Sequence, residues 1–216
     1  MPAKPRPRKN PLEAALEALA GALSGLGAPW MIIGGIAIIA RGVRRLTTDI
    51  DALVRGDAVT IPALLEALAR YEISPRIEDA AAFARENLVL LLRHQPTRVD
   101  LDVSLGWSQF EHEALAVRSE TCFGRVSVPM ASAEDLVVFK AIASRPKDLV
   151  DAEALLVLHP IDVVRVRRRI AELAELAGAP ELVDDFDGVL ARARAGAKSS
   201  IRHGPSIRKP RRGRPE

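Results

Sequence analysis

Two short segments of the chain alternate acidic and apolar residues, and each has the length of one β-strand. Residues 49–54 read Asp-Ile-Asp-Ala-Leu-Val, and residues 98–103 read Arg-Val-Asp-Leu-Asp-Val. Side chains of a strand point alternately to its two faces, so each segment presents two carboxylates on one face and apolar side chains on the other. We therefore predict two strands of one sheet, each acidic on one face and buried on the other.

The carboxylates of Asp49 and Asp51 repel each other unless a cation lies between them. A hard divalent cation with oxygen ligands satisfies this arrangement, and a pair of exposed acids on a polar strand face is the alternative. The second acidic segment favours the cation, because two such strands place three or four carboxylates in one cleft. Such a cluster suits two Mg²⁺ ions that bind a triphosphate and activate a hydroxyl. Asp100 and Asp102 are both candidates for the third acid.

The apolar pattern outside these segments predicts an α/β (α+β) fold. Further strands are predicted at 30–33, 88–92 and 126–128, and helices at 11–26, 36–41, 61–71 and 107–117. The pattern is purely helical over 133–143, 149–158 and 161–177. We expect a small mixed sheet flanked by helices, followed by a helical C-terminal subdomain. The predicted domains are a basic flexible N-terminus (1–10), the α/β core (11–130), the helical subdomain (131–191) and a basic disordered tail (192–216).

The charge of the chain is distributed unevenly. Of 31 Lys and Arg residues, four lie in 1–10 and nine in 192–216, whereas only one of 28 acidic residues lies in these ends. Residues 11–191 therefore carry 18 basic and 27 acidic side chains, a net charge of −9. Basic ends attract nucleic acid such as RNA without sequence preference, or they serve only solubility. Aromatic residues make up 4% of the chain, which argues against a stacking platform for single-stranded nucleic acid.

Cysteine content and hydropathy indicate a cytoplasmic protein. The single cysteine, Cys122, cannot form an internal disulfide. The basic N-terminus leads into an amphipathic segment and not into the apolar core of a signal peptide. No apolar run approaches the roughly 18 residues that a membrane span needs.

A Gly-Gly pair follows the first predicted strand and begins a helix. Without side chains, Gly34 and Gly35 allow a phosphate to approach the backbone amides at the start of that helix. Tight turns between strands and helices are also often rich in glycine, so the pair by itself allows both interpretations.

Residues 32–54, Ile-Ile-Gly-Gly-Ile-Ala-Ile-Ile-Ala-Arg-Gly-Val-Arg-Arg-Leu-Thr-Thr-Asp-Ile-Asp-Ala-Leu-Val, carry the clearest resemblance in the chain. A Gly-Gly turn, a short helix, an Arg and Thr, and then Asp-x-Asp on a strand resemble the signature of the DNA polymerase beta-like nucleotidyltransferases. The Gly-Gly-x-Ala order at Gly34 and a downstream series of residues are similar to the AbiEii-type enzymes of toxin–antitoxin systems. That series comprises Asp135, Leu136, Lys140, Arg145, Lys147, Asp148 and Asp151.

The resemblance implies an Mg²⁺-dependent transfer of a nucleoside monophosphate from an NTP to a hydroxyl. The acceptor would be tRNA, another RNA, a protein or a small molecule, and a cognate antitoxin would be a partner. The implied metal ligands are Asp49, Asp51 and Asp100, because Asp100 matches the third acid of the family and Asp102 stands where an apolar residue is more usual. The implied nucleotide-binding residues are Gly34, Gly35, Arg45, Thr48, Lys140 and Asp148. A catalytically inactive module that binds nucleotide or RNA is the alternative function.

Overall fold

The computed structural model describes residues 10–202, and side chains for residues 10–196. Seven strands form one mixed sheet in the order β3-β4-β5-β2-β1-β7-β6. The strands are β1 (Trp30–Ile33), β2 (Asp49–Arg55), β3 (Ile73–Pro75), β4 (Val89–His94), β5 (Val99–Gly106), β6 (Ser119–Phe123) and β7 (Val126–Met130). The predicted mixed sheet is confirmed, and the two acidic strands, β2 and β5, are neighbours within it.

Among the described residues, five α-helices precede β6, the first of them before β1 and the other four between strands, and four α-helices follow β7. The first set is α1 (Pro11–Ser24), α2 (Gly34–Ala40), α3 (Ile61–Ala69), α4 (Ala80–Asn87) and α5 (Gln109–Val117). The second set is α6 (Ala133–Ala143), α7 (Pro146–Leu158), α8 (Val163–Ala177) and α9 (Glu181–Arg202). Helix α6 contacts α2 as well as α7 and α8, so the helical half packs directly on the element that begins at the Gly-Gly turn.

The buried apolar residues form one continuous cluster that extends from α1 through the sheet to α9. Ile50, Ala52, Leu101 and Val103 are all fully buried on the apolar face of β2 and β5. Their acidic neighbours along the two strands lie on the opposite, more exposed face. The predicted alternation of buried and acidic positions is therefore confirmed.

Four of these helices and strands, β3, α4, β6 and α9, were not predicted individually from the sequence. Strand β3 has only three residues, helix α4 has no clear apolar stripe, and β6 is a polar edge strand that pairs only with β7. Residues 192–202 also differ from the prediction, because they continue α9 instead of beginning a disordered tail. Alanine and arginine favour a helix there, but the prediction of disorder rested on the basic charge of the segment. The rest of the predicted tail, 203–216, and residues 1–9 lie outside the described residues.

In the part of the chain that the structure describes, no helix has the length and apolar character needed to cross a membrane. Cys122 is an exposed free thiol on β6.

Candidate active site

The parallel pairing of β2 with β5 brings the two Asp-x-Asp segments together. Asp49 pairs with Asp100, and Asp51 pairs with Asp102. Paired residues of neighbouring strands point to the same face of a sheet, so all four carboxylates lie side by side. The sequence alone predicted two acidic faces, and the register combines them into one patch.

Asp51 is the innermost acid of the patch, and its surroundings disfavour its charged form. Burial raises the pKa of its carboxyl group above the usual range, and the negative charges of Asp49 and Asp102 raise it further. The backbone N–H of Gly35 donates a hydrogen bond to Asp51 Oδ2 at 3.4 Å and opposes this shift only partly. The negative charge at the centre of the acidic patch is therefore only partly compensated, by the amide of Gly35 and by the charge of Lys140.

Two arginines, which the sequence did not identify, bind the acids of β5. Arg93 Nε donates to Asp100 Oδ1 at 2.6 Å, and Arg76 Nη2 donates to Asp102 Oδ1 at 2.6 Å. The hydrogen bond from Arg93 holds the pKa of Asp100 below its usual range. Both arginines come from the β3–β4 side, and they lie here only because β4 pairs with β5 and β3 pairs with β4.

The donor set fits a hard divalent cation, although it is not preorganised around one. All four side chains offer only oxygen ligands, which Mg²⁺ prefers, and the partly compensated charge at Asp51 is the charge that a cation would balance. Among the described residues, no three acidic, histidine or cysteine side chains converge as a ready-made metal site. The two arginines occupy Asp100 and Asp102, so a cation would be held first by Asp49 and Asp51.

The Gly-Gly turn lies directly against the acidic patch. Gly34 has a φ of +61°, which favours glycine, and a Cβ at this position would overlap the carboxylate of Asp51. A Cβ at Gly35 would overlap the side chain of Thr47. Thr47 Oγ1 also donates a hydrogen bond to Asp49 Oδ1 at 2.7 Å. The turn therefore leaves space for the side chains of Asp51 and Thr47. The predicted residue Thr48, next along the chain, is exposed.

On the other side of Asp51, a buried ionic network joins the helical half to the site. Lys140 Nζ on α6 lies 2.6 Å from Asp148 Oδ1 and 3.1 Å from Asp151 Oδ2 on α7. Arg145 also binds Asp148, and Arg45 binds Asp151. Burial acts to raise the pKa of Asp148, but the hydrogen bonds from Lys140 and Arg145 outweigh it, and the pKa is lowered.

This network acts electrostatically on the acidic patch. The charge of Lys140 lowers the pKa of Asp51, against the larger effect of burial, and the charges of Asp51 and Asp49 help to raise the pKa of Arg145. Lys140, Asp148 and Arg45, three predicted site residues, therefore lie together beside the two Asp-x-Asp acids. Lys147 is exposed and forms no ion pair with the described residues.

Comparison with known protein families identifies the family of the chain. A sequence profile described as the nucleotidyl transferase AbiEii toxin of type IV toxin–antitoxin systems matches residues 17–207. The chain belongs to the AbiEii family. The predicted family is thereby confirmed, and the match spans both the sheet and the helical half. A comparison with curated protein sequences gives no significant match.

One solved structure shows that this AbiEii chain has a nucleotidyltransferase fold, and two others resemble it more weakly. An antigenic nucleotidyltransferase-like protein from Paracoccidioides brasiliensis aligns with a TM-score of 0.52 at 17% identity, over 83% of this chain and 93% of that one. The antibiotic-resistance factor ANT(2'')-Ia aligns with a TM-score of 0.48 at 17% identity, over 89% and 98%. The lincosamide antibiotic adenylyltransferase LnuA aligns with a TM-score of 0.44 at 14% identity, over 70% and 98%.

Proposed function

We propose that this AbiEii-family protein uses a divalent cation, Mg²⁺ in the cell, to transfer a nucleoside monophosphate from an NTP to a hydroxyl group. The observation that carries the proposal is the register of β2 and β5, which aligns four carboxylates on one sheet face around the partly compensated charge of Asp51. A patch of this kind is costly for a folded protein unless a ligand uses it.

In this proposal Asp49, Asp51 and Asp100 hold two cations, and Asp102 is the second candidate for the third ligand. Bound Mg²⁺ supplies Lewis-acid stabilisation of the charge on the triphosphate and lowers the pKa of the acceptor hydroxyl. Since Arg93 keeps the pKa of Asp100 low, Asp100 is suited to bind a cation and not to accept the proton.

The nucleotide is assigned to the side of the Gly-Gly turn. The amides of Gly34 and Gly35 and the side chains of Arg45, Thr48 and Lys140 would orient the triphosphate, and Asp148 would fix the position of Lys140. The acceptor oxygen forms a bond to the α-phosphorus, the bond from that phosphorus to the bridging oxygen breaks, and pyrophosphate leaves. The hydroxyl proton passes to water.

The biological role proposed here is that of the toxin enzyme in a toxin–antitoxin pair. Its acceptor would be the hydroxyl of tRNA, another RNA or a protein, and its activity would be countered by a cognate antitoxin. The family membership supports this role.

The test uses NTPs labelled at the α-phosphate, incubated with the protein and either total RNA or a protein extract. We expect label to move to one of these acceptors and pyrophosphate to appear, both only with Mg²⁺ and not with EDTA. Mg²⁺·NTP that raises the melting temperature without any label transfer or pyrophosphate would support the inactive nucleotide-binding module instead.

A further inference from the structure

A cavity of about 340 Å³ lies on the β5 side of the acidic patch. Three carboxylates, one hydroxyl and two guanidinium groups line it, from Thr48, Asp49, Arg76, Arg98, Asp100 and Asp102. The proposed function uses the acids of this cavity but gives no role to Arg76 and Arg98.

The two arginines are held at the rim of the cavity by the local backbone. Arg76 directly follows β3, and its backbone N–H bonds to Leu91 of β4 at 3.0 Å. Arg98 lies in the turn between β4 and β5 with a left-handed φ of +62°. Its Nη1 donates to Gln95 Oε1 at 3.0 Å, and Gln95 Nε2 donates in turn to Ser74 Oγ at 2.7 Å. Both guanidinium groups are therefore positioned before any ligand arrives.

These arginines differ from the cations on the opposite side of the site. Lys140, Arg45 and Arg145 are bound to the buried carboxylates of Asp148 and Asp151. Arg76 has one partly exposed partner, Asp102, whose side chain is 35% exposed. Arg98 forms no ion pair with a carboxylate in the described part of the chain. Its guanidinium is free to bind an anion.

The charges of the side chains that line the cavity make anion binding depend on a bound divalent cation. Three carboxylates and two guanidinium groups give a net charge of −1, and one bound divalent cation changes it to +1. A cation on the carboxylates also competes with Arg76 for Asp102, so it frees that guanidinium. The cavity is therefore expected to repel anions without a divalent cation and to attract them with one.

We propose that this cavity is the acceptor subsite and that Arg76 and Arg98 bind a phosphoester group of the acceptor. The inference rests on the proposed function. In-line transfer requires the acceptor oxygen to approach the α-phosphorus from the side opposite the leaving pyrophosphate. With the triphosphate at the Gly-Gly turn, the acceptor enters from the β5 side. The planar guanidinium fork matches phosphate oxygens in two parallel hydrogen bonds.

A phosphoester on the acceptor has two sources, a single-stranded RNA end and a phosphorylated small molecule. The test therefore measures binding of a fluorescein-labelled RNA hexamer by fluorescence anisotropy and binding of ribose 5-phosphate by isothermal titration calorimetry, each with Mg²⁺ or EDTA at physiological salt. The test variant is Arg76→Gln with Arg98→Gln. The control is Arg70→Gln, which removes an exposed arginine of the α3 end that pairs with Glu66 away from the cavity.

We expect Mg²⁺-dependent binding of the hexamer, of ribose 5-phosphate or of both, weakened about tenfold or more in the double variant and unchanged in the control. Binding of the hexamer alone assigns the phosphoester to RNA, and binding of ribose 5-phosphate alone assigns it to a small molecule. Binding of neither probe, or binding that is equal in the wild type and the double variant, overturns the proposal. Arg98→Gln alone is measured in the same way should the double variant fail to fold.

Affinity for Mg²⁺ with an α,β-methylene NTP analogue separates this inference from the proposed function. The double variant should keep that affinity, because its arginines lie on the acceptor side. If the wild-type protein bound no nucleotide analogue, the proposed function would fail whatever the RNA result. If the wild type bound the analogue normally and the double variant lost that affinity, Arg76 and Arg98 would belong to the nucleotide side, and the acceptor assignment would be wrong.

Discussion

Replacing Lys140 with Met tests whether the buried ionic network holds the helical half in place. The side chains of Lys140, Asp148 and Asp151 are 9%, 0% and 7% exposed. Removing one partner of a buried ion pair typically costs about 3–5 kcal/mol, because the remaining charge is buried without compensation. Arg145 still binds Asp148 and Arg45 still binds Asp151, so we expect the lower end, about 3 kcal/mol.

For a chain of this size, each kcal/mol lowers the melting temperature by about 2–4 °C. Lys140→Met should therefore lower the melting temperature by about 6–12 °C, measured by differential scanning calorimetry. The matched control is Lys147→Met, which changes an exposed lysine in the first turn of α7. This variant should shift the melting temperature by about 2 °C or less. Equal shifts for the two variants, or a Lys140→Met protein more stable than the wild type, would refute the account of the network.

Three further predictions follow from the geometry of the acidic patch. Asp51→Asn should raise the melting temperature at pH 7 in EDTA, because the raised pKa of Asp51 means that its charged form destabilises the fold. The gain should disappear below about pH 3.9, where the wild-type carboxyl is protonated. Asp100→Ala should lower label transfer more than Asp102→Ala, since the proposed function gives the third metal-ligand position to Asp100 on the family resemblance. Gly34→Ala should lower the free energy of unfolding more than Gly27→Ala, because both glycines have left-handed φ values but only Gly34 faces the Asp51 carboxylate.

Each of these predictions has a clear contrary result. If Asp51→Asn changed the melting temperature equally at every pH, the charge of the Asp51 carboxylate would not destabilise the folded protein. If the Asp100→Ala protein kept full activity and the Asp102→Ala protein were inactive, Asp102 and not Asp100 would be the third metal ligand. Equal costs at Gly34 and Gly27, measured by urea unfolding, would show that the carboxylate moves aside freely.

The alternation along β2 and β5 could be predicted because side chains of a strand repeat every two residues. This period alone assigns Asp49, Asp51, Asp100 and Asp102 to the acidic faces of their strands. Lys140, which pattern alone would have left as a surface lysine, was added only through the family resemblance. The structure buries it against α7.

The arginines of the site could not be predicted in the same way. Arg76 and Arg93 bind the acids of β5, and Arg98 lines the same cavity, only because β3, β4 and β5 pair in one particular register. No spacing in the sequence encodes that register. The contact of Thr47 with Gly35 could not be predicted for a related reason, since it depends on how residue 47 packs against the Gly-Gly turn. The basic composition of residues 192–202 predicted a disordered tail, whereas these residues continue helix α9.

The central claim is that Asp49 and Asp51 form a cation site that binds Mg²⁺·NTP. Isothermal titration calorimetry of Mg²⁺ with an α,β-methylene NTP analogue, on the wild type and on Asp49→Asn with Asp51→Asn, tests it directly. The account predicts Mg²⁺-dependent binding by the wild type and none by the double variant, which should remain folded because neither side chain belongs to the apolar core. Unchanged affinity in a folded double variant would contradict the account.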